Sequence, residues 1–285
     1  YVLKNPICSP FSPIHAIICE SIADTNGWIE RLDYAEGLFL QEYLGKEEAG
    51  HFVFISGGEI HSLVTNQEFK RAFTGDMGPL AGAPLAGIVE QDPDDKYGLA
   101  KELIHPLKPW FEKTKYTGPL QVTAIRKNGV WHAIEYNIRL GVTTTALLLR
   151  MLKNPFNVLL KVVQNKVPLL EWHQEKKFGC TLTLAGYGYP YVISSVPKLP
   201  VEVLTPLKCD LWWNEVDEED NQIFMANHHN FEMGHRIADV NACSSQLDSA
   251  IELIEKEICK LRCLGSYYRL DLKTLSKKYS SILST

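Results

Sequence analysis

Glu135, Asn137 and Arg139 recur at every second position of the stretch His132-Ala133-Ile134-Glu135-Tyr136-Asn137-Ile138-Arg139-Leu140-Gly141. Side chains on a β-strand leave on alternate faces, so these three share one face while Ile134, Tyr136 and Ile138 share the other. A carboxylate, an amide oxygen and a guanidinium in successive positions supply two hard oxygen ligands beside a fixed cation. That set suits Mg²⁺ carrying a phosphate. The same alternation also describes an ordinary amphipathic strand with a solvated polar face, and the stretch alone fits both.

A second set of chemically capable residues lies upstream, in Asn66-Gln67-Glu68-Phe69-Lys70-Arg71-Ala72-Phe73-Thr74-Gly75-Asp76-Met77-Gly78-Pro79-Leu80-Ala81-Gly82-Ala83-Pro84. It is too rich in glycine and proline to predict a regular element. Gly75, Gly78 and Gly82 allow backbone N–H groups to converge on an anion, with Lys70 and Arg71 adjacent. A surface loop with incidental basic residues is the alternative.

Both sets need elements to hold them. Asn128-Gly129 between two apolar runs predicts a hairpin of residues 120–127 with 130–140, which puts Glu135 on its second strand. Gly57-Gly58 predicts another hairpin, of 52–55 with 60–64. Residues 94–115 have helical composition divided by Pro106 and Pro109. Thr143 to Thr145 can cap a helix through Leu152, so the polar strand face ends at a helix N-terminus, which favours anions. A second helix follows from Pro155 to about Asn165.

Tyr1 to Lys4 reads as a strand, residues 5–13 as a proline-broken loop, and residues 16–35 as partly helical with a break at Asn26-Gly27. Beyond Val167 the pattern turns to strands at 178–185, 222–226 and 235–242. A last helix covers 246–264, capped by Ser244 or Ser245, with Leu247, Ile251, Ile254, Ile258 and Leu261 along one side.

The whole chain has 285 residues and 45% hydrophobic residues, enough for two domains or one large lobed one. A net charge of -5 argues against a broad nucleic-acid footprint. No apolar run has the length of a membrane helix. The seven cysteines contain no Cys-x-x-Cys pair, so free thiols in a reducing cytoplasm fit best. A start without Met, directly on a strand-like Tyr1-Val2-Leu3, suggests truncation.

Smaller features have bland readings. His228-His229 with His235 reads as loop or core histidines, and Cys259 with Cys263 as apolar packing on one helix face. Asp217-Glu218-Glu219-Asp220 reads as a solvated loop. Trp212-Trp213 packs between lobes or faces a partner.

In order along the chain, these stretches resemble the phosphoribosylamine–glycine ligases (glycinamide ribonucleotide synthetases), members of the ATP-grasp superfamily. Tyr1-Val2-Leu3-Lys4 is similar to the family strand ending in a nucleotide-contacting lysine. Gln41-Glu42-Tyr43-Leu44 is similar to its hinge Glu-Glu-Phe-Leu. Gln67-Glu68-Phe69-Lys70-Arg71 resembles Gln-Asp-His-Lys-Arg, and Gly75-Asp76-Met77-Gly78-Pro79 resembles Gly-Asp-x-Gly-Pro. Glu135-Tyr136-Asn137-Ile138-Arg139-Leu140-Gly141 resembles the metal-binding Glu-Phe-Asn-x-Arg-x-Gly. Later matches are Gly188-Tyr189-Pro190, Gly234-His235-Arg236-Ile237 and Tyr268-Arg269-Leu270-Asp271-Leu272.

The resemblance implies an α+β chain. Residues 1–44 would be part of an ATP-grasp small lobe, 45–170 the large lobe with the metal and phosphate site, and 171–285 a small α+β C-terminal domain. The family's N-terminal third would be missing. It implies ATP and Mg²⁺ (or Mn²⁺) as cofactors, with Glu135 and Asn137 as metal ligands. Arg139, Lys70 and Arg71 would act on phosphate charge; Lys4, Glu42, Glu47, Gly75, Asp76 and Gly78 would bind the nucleotide or substrate phosphate. The implied reaction joins a glycine-like carboxylate to a phosphoribosylamine-like amine in purine biosynthesis. The setting is cytoplasmic, without nucleic acid or membrane, in a monomer or weak homo-oligomer.

The chain also departs from that pattern. Residues 5–13 lack the family's glycines, Phe69 replaces a histidine, and Leu80-Ala81-Gly82-Ala83 shortens a glycine-rich loop. Val142-Thr143-Thr144 stands where the family has Asp-Pro-Glu, removing two carboxylates beside the phosphates. Two readings therefore remain: a carboxylate–amine ligase, or a catalytically impaired relative that binds nucleotide or a partner without ligation.

Overall fold

A computed structural model describes residues 1–4, 16–31, 37–45, 47–190, 198–226 and 235–284. The proline-broken stretch 5–13 and His228, His229 and Gly234 lie outside these residues.

The chain opens with β1 (Val2–Lys4), β2 (Ala16–Ile18), α1 (Ile22–Arg31) and β3 (Phe39–Gln41). The three strands form a small antiparallel sheet in the order β2-β1-β3. Contrary to expectation, Asn26-Gly27 lies inside α1. A helical glycine costs about 1 kcal/mol, and here Ser21 restrains the first turn: its Oγ accepts from Asp24 N–H and its carbonyl from the Thr25 hydroxyl.

Next come β4 (Glu48–Ser56), β5 (Glu59–Phe69), β6 (Arg71–Phe73), β7 (Met77–Leu80) and β8 (Ala86–Gln91). The β4–β5 hairpin turns at Gly57 and Gly58, both at positive φ, as the sequence predicts. The glycine-rich segment is not irregular: β6 and β7 pair across a turn at Gly75 and Asp76. Positive φ at these two residues and at Gly78 makes glycine here a turn former.

A π-turn (Ala100–Ile104), a 3₁₀ turn (His105–Leu107) and α2 (Lys108–Thr114) follow, divided where Pro106 and Pro109 require. Then β9 (Gly118–Lys127) and β10 (Val130–Asn137) form the expected hairpin at Asn128-Gly129. α3 (Val142–Met151) starts before the expected threonine cap. Gly141 is its N-cap, and the Thr145 hydroxyl bonds back to the Gly141 carbonyl.

α4 (Pro155–Val163), β11 (Phe178–Ala185), β12 (Pro200–Val203), β13 (Asp210–Trp213), β14 (Val216–Glu219), β15 (Gln222–Met225), β16 (Arg236–Ser244), α5 (Leu247–Ile258) and β17 (Leu261–Arg262) follow, and α6 (Leu272–Ser284) closes the chain. The acidic run Asp217–Asp220 is not a loop: β14 pairs β15, and Asp220 and Asn221 make the turn. The N-cap of α5 is Gln246, not a serine, although Ser244 Oγ accepts from its N–H. Cys259 caps α5 and Cys263 follows β17, so they share no helix face. Every cysteine among the described residues is a free thiol.

The framework is an eight-stranded sheet in the order β10-β9-β4-β5-β8-β11-β16-β13. β8 pairs directly with β11, from Phe178↔Glu90 to Leu182↔Ala86, so strands on both sides of residue 170 share one hydrogen-bonded layer. The main core joins β11 and β16 residues such as Leu182 and Val240 to Ile251 and Ile254 of α5 and Leu275 and Tyr279 of α6. A second core sets Leu147, Leu148 and Met151 of α3 against Phe52, Phe54 and Val64. Among the described residues, no helix is long and apolar enough to cross a membrane.

Candidate functional site

The N-terminal sheet faces one end of the large sheet, and a cavity of about 630 Å³ opens between them. Lys4, Glu42, Glu47, Lys70, Arg71, Asp76, Glu135, Asn137 and Arg139 all line it. Residues up to 135 positions apart thus meet in one space, and the two sequence-flagged segments face each other across it. Gly75 and Gly78 are not among its lining residues.

On β10 the ladder stands as the alternation implies, with Asn137 Nδ2 donating to Glu135 Oε1 at 3.3 Å. The strand ends at Asn137, and Arg139 extends beyond it, exposed. The opposite face is not buried: Tyr136 is 41% and Ile138 68% exposed. A bulge between Ala133 and Glu135 leaves Ile134 out of register. Its carbonyl accepts from Lys4 Nζ at 3.4 Å and Gln41 Nε2 at 3.2 Å, joining β1 and β3 to the large sheet.

Lys70, at the end of β5, sits between two carboxylates, 3.1 Å from Glu48 Oε2 and 3.7 Å from Glu135 Oε1. Burial pulls its ammonium down, but Glu48, Glu135 and Glu68 outweigh that and hold it above the ordinary lysine value. Burial raises Glu135 also, yet Lys70, the Asn137 amide, Lys4 and Arg139 together hold its carboxyl below the usual range. Burial lowers Lys4. Glu42 is exposed and pairs with Lys127 at 2.9 Å.

The sequence reading missed Glu48 and Glu68. Burial pushes the Glu68 carboxyl up, against the opposing pull of Lys70. Only its place beside Lys70 in the sequence hinted at this role. It also missed Leu275 and Lys278, which α6 brings to the cavity wall.

The β6–β7 hairpin is committed elsewhere. Gly75 N–H donates to Asp271 Oδ2 at 2.8 Å, and Arg71 Nη1 donates to the Gly78 carbonyl at 2.7 Å. Arg269, fully buried, forms a two-pronged pair with Asp271, donates to the Arg71 carbonyl at 2.8 Å and lies 3.5 Å from Asp76. The expected anion nest at Gly75 is therefore already filled by a carboxylate of the chain itself. A Cβ at Gly78 would lie 2.4 Å from the Phe73 ring, so that glycine serves close packing. Segment 81–84 is pinned from behind: Tyr189 OH donates to the Ala83 carbonyl at 3.0 Å and Arg236 Nη1 to Pro84 at 2.6 Å.

The donor set fits a hard divalent cation with a nucleotide phosphate. A carboxylate and an amide stand side by side, and a second carboxyl, Glu68, is held back from ionising by burial that a cation would offset. Lys4, Lys70 and Arg139 add positive charge around the same space. α3 begins at the cavity with Val142 and carries no acidic residue in its own first turn.

No family model matches the chain. It is 25% identical over 251 residues to the phosphoribosylamine–glycine ligase of Chlorobaculum tepidum, covering 84% of this chain and 56% of that protein. It is 28% identical over 244 residues to that of Halalkalibacterium halodurans, covering 82% and 54%. The chain thus spans a little over half the length of the curated relatives it matches. The crystal structure of the Thermotoga maritima phosphoribosylamine–glycine ligase superposes with a TM-score of 0.77 at 21% identity, covering 95% of this chain and 68% of that one. The biotin carboxylase domain of Hydrogenobacter thermophilus 2-oxoglutarate carboxylase, solved with MgADP, gives 0.60 at 10% identity, covering 94% and 58%. The fold is α+β, of the ATP-grasp type, and the chain is a distant relative of the phosphoribosylamine–glycine ligases.

Proposed function

We propose that this chain carries the ATP-binding and phosphoryl-transfer part of a carboxylate–amine ligase that acts, like its named relatives, in purine biosynthesis. Its substrates would be a glycine-like carboxylate and a phosphoribosylamine-like amine. The observation that carries this reading is the convergence of Lys4, Lys70, Glu135, Asn137 and Arg139 on one cavity. We place it in the cytoplasm, as a monomer or weak homo-oligomer.

Glu135 and Asn137 would hold Mg²⁺ or Mn²⁺, which when bound neutralises phosphate charge. Lys4 and Arg139, which line the cavity, would face the nucleotide phosphates, and Glu42 and Glu47 its nucleoside end. Lys70 holds the Glu135 carboxylate in place and offsets charge on the transferred phosphoryl group. Arg71 lines the same cavity from β6 and would meet substrate phosphate there. The γ-phosphoryl group of ATP would pass to the carboxylate with release of ADP, and the amine would then attack the acyl phosphate, displacing inorganic phosphate and forming the amide bond.

Nucleotide binding without ligation is the second reading. It draws support from Val142 at the start of α3 and from the Gly75 N–H being spent on Asp271. Calorimetry of Mg²⁺-dependent ATP binding on the parent and on Glu135→Ala/Asn137→Ala tests the site. Binding that weakens tenfold or more in the double variant is expected. A well-folded parent that binds no ATP up to millimolar concentration would overturn the nucleotide site. Glycine-dependent ADP release then separates the two readings.

A further inference from the structure

A second cluster of ligating side chains lies away from this cavity, under the opposite face of the large sheet. His51 on β4 stands directly across from Thr65 on β5. Asp92 follows β8, and Asp95 sits in the tight turn that leads to the π-turn at Ala100. His51 and Asp92 are buried, while the Asp95 side chain keeps 12% exposure.

The hydrogen bonds fix what each group offers. The Thr65 hydroxyl donates its one proton to Asp92 Oδ2 at 2.7 Å, so it must accept from His51 Nδ1–H at 2.8 Å. That leaves His51 Nε2 as a bare lone pair. It is buried, has no hydrogen-bond partner among the described residues, and faces Asp95 Oδ1 across 3.9 Å. A lone pair and a carboxylate oxygen opposed in this way repel unless something positive lies between them. One ligand atom from each of His51, Asp92 and Asp95 falls within 4.8 Å of the others.

Both carboxylates are already oriented. Asp92 Oδ1 accepts from Lys96 N–H at 2.8 Å, and Asp95 accepts from Ala100 and Lys101 N–H at 2.9 and 2.7 Å. Such outer bonds aim ligating groups in metal sites, as does the Thr65 bond that sets the imidazole tautomer.

We propose that His51 Nε2, Asp95 and Asp92 bind a divalent first-row transition metal of the zinc type. One imidazole with two carboxylates favours such a metal over Mg²⁺ or Ca²⁺. A metal about 2 Å from each donor fits between His51 Nε2 and Asp95 Oδ1, 3.9 Å apart, and Asp92 joins them by a small side-chain shift. Its role is structural. Tyr97, in the segment that begins at Asp92, accepts from Trp131 Nε1 at 2.9 Å through its carbonyl, and Leu103 O accepts from Tyr136 OH at 2.9 Å. The metal therefore braces the support beneath β10, the strand that carries Glu135 and Asn137.

The test is calorimetry with Zn²⁺ and visible absorption with Co²⁺ on the full chain, on His51→Gln, on Asp95→Asn and on Glu135→Ala/Asn137→Ala. One equivalent bound by the parent and by the Glu135/Asn137 variant, weakened at least tenfold in His51→Gln and Asp95→Asn, is the expected result. A Tm raised by Zn²⁺ in the parent and in the Glu135/Asn137 variant, but not in His51→Gln or Asp95→Asn, accompanies it. No stoichiometric binding by a folded parent, or undiminished binding in His51→Gln, would overturn the proposal. If either variant fails to fold, zinc-edge X-ray absorption of the parent decides: one imidazole nitrogen with carboxylate oxygens supports the site. Sulfur or all-oxygen ligation refutes it.

Discussion

Exchanging Asp271 for Asn tests how firmly the β6–β7 hairpin is tied to the rest of the protein. Burial raises this carboxyl, but the Arg269 bonds and the Gly75 N–H more than reverse that and hold it below its usual value. A carboxyl lowered by folding contributes stability that is fully present above its unfolded pKa, near 4, and is lost as pH falls through the folded value. Asp271→Asn should therefore lower stability at neutral pH by about 3 kcal/mol, since it leaves a buried guanidinium without its two-pronged partner and with only Asp76 at 3.5 Å. It should also flatten the fall in stability below pH 4, read by urea unfolding across pH. The residues of the β10 ladder were legible because strand alternation alone sets their common face. The partners of Lys70 were not, because Glu48 comes from the beginning of β4 and Glu135 from the separate β9–β10 hairpin. The ion pairs then depend on register, which the local pattern leaves open. Arg269 and Asp271 stood out only as a matched motif; that they would fill the expected phosphate nest had no local signal.

Among elements, the two hairpins with Gly57-Gly58 and Asn128-Gly129 were readable from their turns, since two successive positive φ values demand those residues. Gly129 adopts φ 78°, and a Cβ there meets nothing within 4 Å. Gly129→Ala should thus cost only the left-handed backbone penalty, about 1–2 kcal/mol. The check is a shifted urea midpoint with unchanged m-value, and ATP affinity should hold. The β6–β7 hairpin was hidden by glycine and proline, which usually mark loops. The bulge at Ile134 has no sequence mark at all, yet it frees the carbonyl that Lys4 and Gln41 share. α6 escaped notice because its polar residues dilute the apolar stripe of Leu272, Leu275, Tyr279 and Leu283.

At the scale of the molecule, the eight-stranded sheet places residues from positions 48 to 244 in one layer. The resemblance leads to the expectation of a division near residue 170; the pairing of β8 with β11 is a non-local choice that composition does not encode. α6 returns to this layer: Arg126 Nη1 donates to the Leu283 carbonyl at 3.3 Å, and Lys278 reaches the cavity. Removing residues 272–285 should expose the core under Leu275 and Tyr279. A lower Tm, dye binding typical of exposed apolar surface and loss of ATP binding are expected, against a control truncated only after Leu283.

The bond from Gly75 to Asp271 joins residues 196 positions apart. On a ribosome adding roughly 5–20 residues each second, the hairpin emerges on the order of 10–40 s before its anchor exists. Throughout that interval Phe73 and its neighbours have no tail to rest on. The cavity wall is therefore among the last parts of the nascent chain to settle, and a stalled or prematurely ended product would leave the ribosome with its largest sheet in place and its binding site unmade.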